Sequence, residues 1–252
     1  MLRSRIIPCL LIHNKGLVKT VKFKNPKYVG DPINAVKIFN EKEVDELIVL
    51  DIDATVENRT PNLKMVKNLA DECRMPFCYG GGIKTIEQAR KIISLGAEKV
   101  ALSYSALTNI DLCKQIGSVI GNQSIVVVLD LKKKFFGGYD IYTHNGTKKS
   151  KWKLEEIISK LEEIEVGEIV INSIDNDGTM LGYDISLIEN IREKCSIPIT
   201  VLGGAGSLDD IKKLINKFKI IGAAAGSLFV FKGKYRAVLI SYPNRQERKP
   251  LY

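Results

Sequence analysis

The sequence predicts an α/β protein that folds as a (β/α)₈ barrel, the architecture also called a TIM barrel. Two observations lead there: short apolar runs alternate along the chain with segments of helical periodicity, and the second half of the chain repeats the first. Strands that alternate with helices form parallel sheets, and eight such units close a barrel whose site lies at the carboxyl ends of the strands. The strand-like runs cover residues 5–11, 46–51, 76–80, 99–103, 124–130, 168–173, 198–203 and 219–226.

The internal repeat divides the chain into two half-barrels, about residues 1–120 and 121–231. ELIVLDIDAT, PFCYGGGI and EKVALSYSAL recur about 122 residues later as EIVINSIDNDGT, PITVLGGAGS and KIIGAAAGSLF. No linker separates the halves, so we expect one domain over residues 1–252. The first strands of the two halves align at an offset near 119, which places Leu11 opposite Asp130. Two half-barrels should offer two facing carboxylates, and here one of them is a leucine.

Capping residues mark the starts of several predicted helices, because a side-chain oxygen or a proline satisfies or removes a free backbone N–H there. After Phe231 the chain contains only a short apolar run, and Pro243 and Pro250 disfavour a long helix. We expect a shortened last helix and a loose, irregular basic tail over residues 232–252. The predicted helix starts are Asp31-Pro32, Thr60-Pro61 and Ser207 with Asp210.

The composition is that of a soluble globular protein, with 45% hydrophobic and 27% charged residues. No apolar run is long enough to span a bilayer, and the N-terminal segment turns polar too early for a signal peptide. We therefore expect a cytoplasmic protein without a membrane partner. Five cysteines without close pairing favour buried reduced thiols over a disulfide framework or a zinc site. We expect no metal and no cofactor.

The net charge of +9 favours an anionic partner: nucleic acid, a phosphorylated metabolite or an acidic protein surface. Three consecutive lysines, Lys132 to Lys134, precede Phe135 and Phe136 and have the composition of a nucleic-acid contact. This stretch follows a strand end, where a barrel enzyme carries an active-site loop. We therefore expect a phosphorylated small molecule and no nucleic acid.

Small residues follow several predicted strands, at 80–82, 203–206 and 226–227. Backbone without side chains can approach an anion closely, and the N–H groups of a following helix donate to phosphate. Glycines also simply make tight turns. The doubled arrangement at a fixed offset favours a pair of phosphate sites.

Five carboxylates stand at or just beyond strand ends, where partial burial can raise a carboxyl pKa toward general acid or base work. Thr55 and Thr179 indicate loop anchoring for Asp53 and Asp175, whereas Asp130 is the expected catalytic carboxylate. The five are Asp51, Asp53, Asp130, Asp175 and Asp177.

Three basic or titratable residues fall in predicted loops. Lys19 is either a cation that closes over an anionic substrate or a solvated lysine. His13 and His144 have no metal ligand at a characteristic spacing in the sequence, so we assign them no metal.

The segments RIIPCL, GDP, DELIVLDIDA, GGGI, NSIDNDGT, GYD and LGGAG, in this order over about residues 1–231, resemble the cyclase (HisF-type) subunit of imidazole glycerol phosphate synthase. The resemblance implies a heterodimer with a HisH-type glutaminase. Ammonia from glutamine crosses the barrel and reacts at the opposite mouth with a bis-phosphorylated ribulosyl aminoimidazole. The products are imidazole glycerol phosphate, for histidine biosynthesis, and an aminoimidazole carboxamide ribotide.

The resemblance also implies residue roles. The general base falls on Asp130, the mobile-loop lysine on Lys19, and an acid that helps to dock the glutaminase on Glu98. A charged ring that gates ammonia entry falls on Arg5, Glu46, Lys99 and Glu168. The phosphate and substrate sites fall on Gly82, Ser103, Asp177, Gly178, Gly203, Gly204, Gly226 and Ser227.

Three departures set the chain apart from that family. Leu11 stands where the family has its general acid, Ser103 and Tyr104 stand where it usually has Asn and Thr, and the tail differs. This combination resembles a specialised paralogue that works beside a dedicated glutaminase and a third enzyme, which amidates a nucleotide-linked sugar acid for bacterial surface polysaccharide. A conventional histidine-pathway cyclase is the alternative function, and a non-enzymatic phosphate-binding scaffold is a third.

Overall fold

A computed structural model describes residues 3–252 of the chain and contains a closed parallel barrel with helices around it. The strands are β1 (Arg5–His13), β2 (Gly16–Val21), β3 (Lys24–Gly30), β4 (Leu47–Asp51), β5 (Phe77–Gly80), β6 (Lys99–Leu102), β7 (Ile125–Lys133), β8 (Tyr139–Thr143), β9 (Lys148–Lys149), β10 (Glu168–Ser173), β11 (Ile199–Leu202), β12 (Gly222–Ala225), β13 (Phe231–Lys232) and β14 (Ala237–Val238).

The barrel strands are β1, β4, β5, β6, β7, β10, β11 and β12, each hydrogen-bonded in parallel to the next. The barrel closes because β7 pairs with both β6 and β10, and β12 pairs with both β11 and β1. The predicted (β/α)₈ fold is confirmed. The first and fifth barrel strands extend to His13 and Lys133, beyond the predicted runs, and the eighth is shorter than predicted.

The helices alternate with the barrel strands and lie outside the sheet. Asp31 caps one helix as predicted, and the pair of Ser207 and Asp210 caps another. The predicted helix start at Thr60-Pro61 is wrong. That helix begins at Leu63, because the Asn62 side chain accepts the backbone N–H of Met65. The helices are α1 (Pro32–Glu41), α2 (Leu63–Glu72), α3 (Ile86–Ser94), α4 (Tyr104–Thr108), α5 (Ile110–Ile120), α6 (Leu154–Glu163), α7 (Ile185–Arg192), α8 (Leu208–Phe218), α9 (Ser227–Val230) and α10 (Arg245–Arg248).

Alternate strand residues separate into two apolar clusters, as the two-residue period of a strand requires. On β1, Ile6 and Leu10 join the large cluster between sheet and helices, while Ile7 and Cys9 join a smaller cluster inside the barrel. Every member of the inner cluster is buried. In the described part of the chain, no helix combines the length and apolar character needed to cross a membrane.

Two hairpins extend from the barrel mouth and were not predicted from the sequence. Strands β2 and β3 fold back antiparallel onto the end of β1, and β8 and β9 continue antiparallel from the end of β7. Their sequences are polar and carry no long apolar run, so periodicity gave no signal. The first hairpin lies beside the cavity described below.

The tail differs from the loose end expected from its prolines. Tyr242, Arg248 and Leu251 are buried, and residues Lys249–Leu251 form a 3₁₀ turn after α10. The Tyr242 hydroxyl donates to the carbonyl oxygen of Ile6 at 2.8 Å, and Arg248 Nη1 donates to Asp45 Oδ1 at 3.2 Å. The tail is therefore fastened to the amino-terminal end of the barrel.

Candidate active site

The carboxyl ends of all eight barrel strands surround a cavity of about 320 Å³. A parallel barrel places its strand ends and the loops that follow them at one mouth, where enzymes of this fold carry their sites. The strand residues lining the cavity are Leu11, Asp51, Gly80, Leu102, Asp130, Asn172, Leu202 and Ala225.

Asp130 enters this cavity from β7, where sequence reasoning placed the catalytic carboxylate. Asn172 Nδ2 donates to its Oδ1 at 2.8 Å. Burial raises the pKa of Asp130 to about 7, the negative charge of Asp177 adds to this effect, and the hydrogen bond from Asn172 opposes it. A carboxyl group with such a pKa can take up and release a proton near neutral pH.

Leu11 lines the same cavity from β1, so the alignment of the two half-barrels placed it correctly. Asp51, on the adjacent strand β4, also lines the cavity. Asp51 Oδ1 accepts the backbone N–H groups of Asp53 and Ala54, both at 3.1 Å. Asp51 therefore holds the loop after β4.

The two acids predicted to anchor loops do so. Asp53 Oδ2 accepts the backbone N–H of Asn14 at 2.7 Å, and Asp175 Oδ2 accepts that of Lys133 at 2.8 Å. Each contact joins one mouth loop to the next.

Lys19 lies on β2 and not in a loop, which corrects the sequence-based expectation. It is 5% exposed, so it is not the solvated lysine that the sequence also allowed. Its Nζ donates to the carbonyl oxygen of Cys9, and burial lowers its pKa. A Cβ on Gly226 would lie only 2.5 Å from this Nζ. The ammonium group therefore stands beside the predicted carboxy-terminal phosphate site, in space that a glycine leaves open.

Asp177 was predicted among the phosphate residues, and the structure gives it a different set of contacts. Its Oδ2 accepts from the Thr20 hydroxyl at 2.7 Å and from the backbone N–H of Phe23 at 3.0 Å. Burial raises its pKa. Asp177 therefore holds the β2–β3 hairpin, and because it also lines the cavity its place among the phosphate and substrate residues stays a prediction.

The other residues predicted for the carboxy-terminal phosphate site line one side of the cavity. Gly204 has a φ of +108°, and a Cβ there would lie 2.1 Å from the carbonyl oxygen of Gly182, so the position requires glycine. Gly226, the residue before α9, lines the same cavity. The residues brought together are Gly178, Gly203, Gly204, Gly226 and Ser227.

The second predicted phosphate site, at Gly82 and Ser103, also lines the cavity but contains an aromatic ring. Tyr104, the first residue of α4, meets His144 edge-on with ring centroids 4.7 Å apart. His144 thus fixes the tyrosine ring at the rim. Tyr104 thus lines the cavity next to Ser103 in the chain.

We expect an anion soaked into crystals as phosphate or sulfate to occupy the site at Gly204, Gly226 and Ser227, with weaker occupancy at Gly82. Tyr104→Thr should raise occupancy at Gly82 and leave the first site unchanged, because only the second site loses a ring. Anomalous scattering from selenate would measure both sites. Equal occupancy in the natural chain would contradict the assignment.

The predicted charged ring is present at the opposite, amino-terminal end of the barrel. Arg5 Nη2 lies 2.9 Å from Glu168 Oε1, and Arg5 Nη1 contacts Glu46 Oε2. Lys99 Nζ lies 2.7 Å from Glu46 Oε1 and 2.8 Å from Glu168 Oε2. The four side chains therefore alternate in charge and each bridges two others.

Burial and pairing shape the electrostatics of the ring. Burial alone would lower the pKa of Lys99, but Glu168 and Glu46 outweigh it and hold that pKa above its ordinary value. The pKa of Glu168 is held below its ordinary value: burial opposes this, and the charges of Arg5 and Lys99 prevail.

Two further residues complete this end of the barrel. The Thr200 hydroxyl, fully buried on β11, donates to Glu168 Oε1, a contact that no sequence signal indicated. Glu98, the predicted docking acid, is exposed immediately before β6 and adjoins Lys99 in the chain. It is therefore accessible on the amino-terminal face.

The mouth carries the positive charge of the chain. The segments that follow the barrel strands hold 17 of the 38 Lys and Arg residues but only 7 of the 29 Asp and Glu residues. This potential attracts anions and raises their local concentration at the cavity. The segments are 14–31, 52–62, 81–85, 103–109, 131–153, 174–184, 203–207 and 226–238.

Known proteins resemble this chain over nearly its whole length. The sequence model of the family described as "Histidine biosynthesis protein" matches residues 5–236. A Vibrio vulnificus protein, provisionally named imidazole glycerol phosphate synthase subunit hisF3, is 56% identical over 250 residues, 99% of this chain and 96% of that protein. A Pseudomonas aeruginosa protein, provisionally named subunit hisF2, is 54% identical over 244 residues, 97% of each chain. Streptococcus sanguinis HisF is 38% identical over 229 residues, 91% of each.

Fold and site together define a barrel-type synthase subunit with its cavity at the carboxyl ends of the strands. The chain belongs to the histidine biosynthesis protein family, as a HisF-type subunit of imidazole glycerol phosphate synthase.

Proposed function

We propose that the chain receives ammonia from a HisH-type glutaminase and delivers it, within a heterodimer, to an acceptor at the barrel mouth. We further propose that it is a specialised paralogue that supports amidation of a nucleotide sugar for surface polysaccharide, with the help of a third, sugar-amidating enzyme. The observation that carries this proposal is Leu11, an apolar side chain in the cavity where the cyclase reaction uses an acid.

The proposed route for ammonia follows the barrel axis. The ring of Arg5, Glu46, Lys99 and Glu168 surrounds the entrance, and the inner apolar cluster, including Ile7 and Cys9, lies between ring and cavity. An apolar interior penalises a charged ammonium far more than neutral ammonia. This arrangement supports passage of ammonia in its reactive form.

The glutaminase would bind the amino-terminal face, with Glu98 in the contact. This exposed carboxylate stands beside the entrance, and the ring next to it has little use in an enzyme that takes ammonia from solution. Docking there would place a glutaminase product directly at the ring.

The mouth suits an anionic acceptor. Its excess of Lys and Arg, the glycine-rich turns at Gly204 and Gly226, and the buried Lys19 all favour phosphoryl groups. Tyr104 narrows the second phosphate site. One open and one narrowed phosphate site favour an acceptor whose phosphates are adjacent, as in a nucleotide sugar. They disfavour an acceptor that is phosphorylated at both ends.

A conventional cyclase of histidine biosynthesis is the second candidate, and Asp130 favours it. This carboxylate retains the position and the raised pKa of a general base. Under this alternative another group supplies the proton that Leu11 cannot.

Turnover assays on the natural chain, purified with its cognate glutaminase, distinguish the specialised function from the histidine-pathway cyclase. We expect active glutamine hydrolysis but turnover of the ribulosyl substrate at least about 10²-fold below an ordinary enzyme rate of roughly 1 s⁻¹, because a positioned acid is missing. Coupled assays of glutamate and imidazole glycerol phosphate measure both. An ordinary rate would contradict the specialised function and establish the histidine pathway.

A further inference from the structure

We infer that His13, held by Asp53, is a proton-transfer residue of this mouth and supplies part of the acid function that Leu11 removes. The inference rests on the proposed function only in assuming that the ammonia acceptor binds in this cavity. It holds for any acceptor whose oxygen must leave as ammonia adds.

His13 is placed on the correct strand and face. It is the last residue of β1, two positions after Leu11, and side chains two apart on a strand point to the same side. Both line the cavity. An imidazole can therefore reach the mouth from the strand that would otherwise carry the missing carboxyl group.

Asp53 fixes the imidazole. His13 Nδ1 lies 2.6 Å from Asp53 Oδ1, while the other carboxylate oxygen accepts the backbone N–H of Asn14 at 2.7 Å. Asp53 is 6% exposed, so its charge is largely removed from water. A buried carboxylate that accepts Nδ1–H sets the tautomer and the orientation of a histidine ring, as in catalytic triads.

The second ring nitrogen, Nε2, faces the exposed Asn14 side chain, and the His13 side chain is about one-third exposed. Asn14 Nδ2 lies 3.1 Å from Nε2, where the amide donates and the ring nitrogen accepts. Asn14 is exposed, so its amide can rotate and allow Nε2 to carry a proton. This nitrogen can exchange protons with a ligand or with solvent. Arg59, from the loop after β4, also approaches the carboxylate, with its Nη2 4.0 Å from Asp53 Oδ2.

A purely structural role accounts for less of this geometry. Asp53 already joins the two loops through the backbone N–H of Asn14, without any imidazole. His144, the other histidine of the chain, also lines the cavity but packs against Tyr104 and has the Thr143 hydroxyl at 3.0 Å. Burial lowers the pKa of His144. Of the two histidines, His13 is the one paired with a buried carboxylate.

The proposed step is general acid catalysis of imine formation. The ammonia nitrogen forms a bond to a carbonyl carbon, and the carbon–oxygen bond then breaks. Asp130 takes a proton from the nitrogen and His13 Nε2–H gives one to the oxygen, which yields a carbinolamine. Once His13 has regained a proton from solvent, it gives a second proton to the hydroxyl group, which leaves as water while the nitrogen remains as a protonated imine. Asp130 then returns its proton to solvent and His13 regains one from solvent, so no oxidant or co-reactant is required.

The test uses the full chain, an ammonium salt and the ribulosyl aminoimidazole substrate as probe, with excess enzyme in single turnovers. His13→Gln should lower the rate of the natural chain by about 10²-fold, and Asp53→Asn should lower it less. Lys212→Gln, an exposed change on α8 outside the mouth segments, is the control and should have no effect. Asp53→Glu should recover part of the loss of Asp53→Asn.

A Leu11→Asp background separates catalysis from folding. There an aspartate takes over as acid, so His13→Gln should change the rate less than about threefold. Equal losses in both backgrounds, no loss in the natural chain, or no detectable turnover of the natural chain would overturn the inference. The proposed function fails separately, if the natural chain turns over at an ordinary rate, whether or not that rate depends on His13.

Discussion

Leu11→Asp should raise turnover of the ribulosyl substrate with ammonia by about 10²-fold or more, the usual gain from a positioned acid or base. The substitution places a carboxyl group in the cavity opposite Asp130, on the strand that corresponds to β7 in the other half-barrel. Steady-state kinetics with an ammonium salt measure the change without a glutaminase.

The physical reason is the division of roles between two carboxyl groups. Like charges in one cavity cannot easily both ionise, so one group keeps its proton at neutral pH and the other is the base. Asp130, the expected base, has a pKa of about 7 in the natural chain. The acid limb of kcat/KM in the natural chain should therefore rise through about pH 7, as Asp130 loses its proton.

Two control variants test whether the gain comes from the new carboxyl group. Leu11→Asn introduces a polar group of the same size that cannot donate a carboxyl proton, so it should leave the rate near that of the natural chain. Asp130→Asn in the Leu11→Asp background should abolish the gain. A Leu11→Asp rate equal to that of the natural chain would show that the missing acid does not limit this chemistry, unless Tyr104→Thr restores the gain by admitting the substrate.

The barrel was predictable because its signal is spread over the chain. Eight apolar runs at regular spacing and a half-chain repeat specify strand order and closure without any contact information. The predicted helix starts depended on single side chains and were less accurate. Asn62 caps α2, whereas the sequence predicted a start at Thr60-Pro61. The hairpin β2–β3 and the fastened tail are held by long-range contacts, such as Thr20 with Asp177 and Tyr242 with Ile6, which local pattern does not reveal.

The candidate site was likewise predictable only in part. The positions of Leu11 and Asp130 on their strands predicted that both line one cavity, and the family resemblance predicted the charged ring of Arg5, Glu46, Lys99 and Glu168. The partner of His13 is 40 positions away in the sequence, in a loop whose path depends on the closed barrel. Proximity of this kind follows from tertiary structure, so neither spacing nor composition indicated the pair.

Lys99→Ala should both destabilise the protein and uncouple glutamine hydrolysis from ammonia use. Glu46 and Glu168 have side chains only 3% and 5% exposed, and Lys99 is one of the two ring cations that neutralise them. Leaving buried carboxylates short of a partner typically costs about 3–5 kcal/mol of unfolding free energy. The shortened side chain also opens the entrance to water, through which ammonia can escape.

The pH dependence of the loss follows from Glu168, whose pKa in the folded chain is below the ordinary value. Its contribution to stability is complete above the pKa of the unfolded chain and disappears as pH falls through the folded pKa. In Lys99→Ala this carboxyl group loses a cation and can be neutralised at milder acidity. The stability difference from the natural chain should thus be greatest at neutral pH and shrink in acid.

Urea unfolding at neutral pH and at about pH 4.5, near the ordinary pKa of a glutamate, measures this difference, with Lys212→Ala, an exposed lysine of α8, as control. The coupling is measured in the complex with the cognate glutaminase, as the imidazole glycerol phosphate formed per glutamine hydrolysed. The measurement is made with and without added ammonium. Since the cavity is untouched, added ammonium should restore the rate of Lys99→Ala. Unchanged stability would contradict the ion-pair argument, and unchanged coupling would show that the ring does not gate ammonia, because the two readouts depend on Lys99 for different reasons.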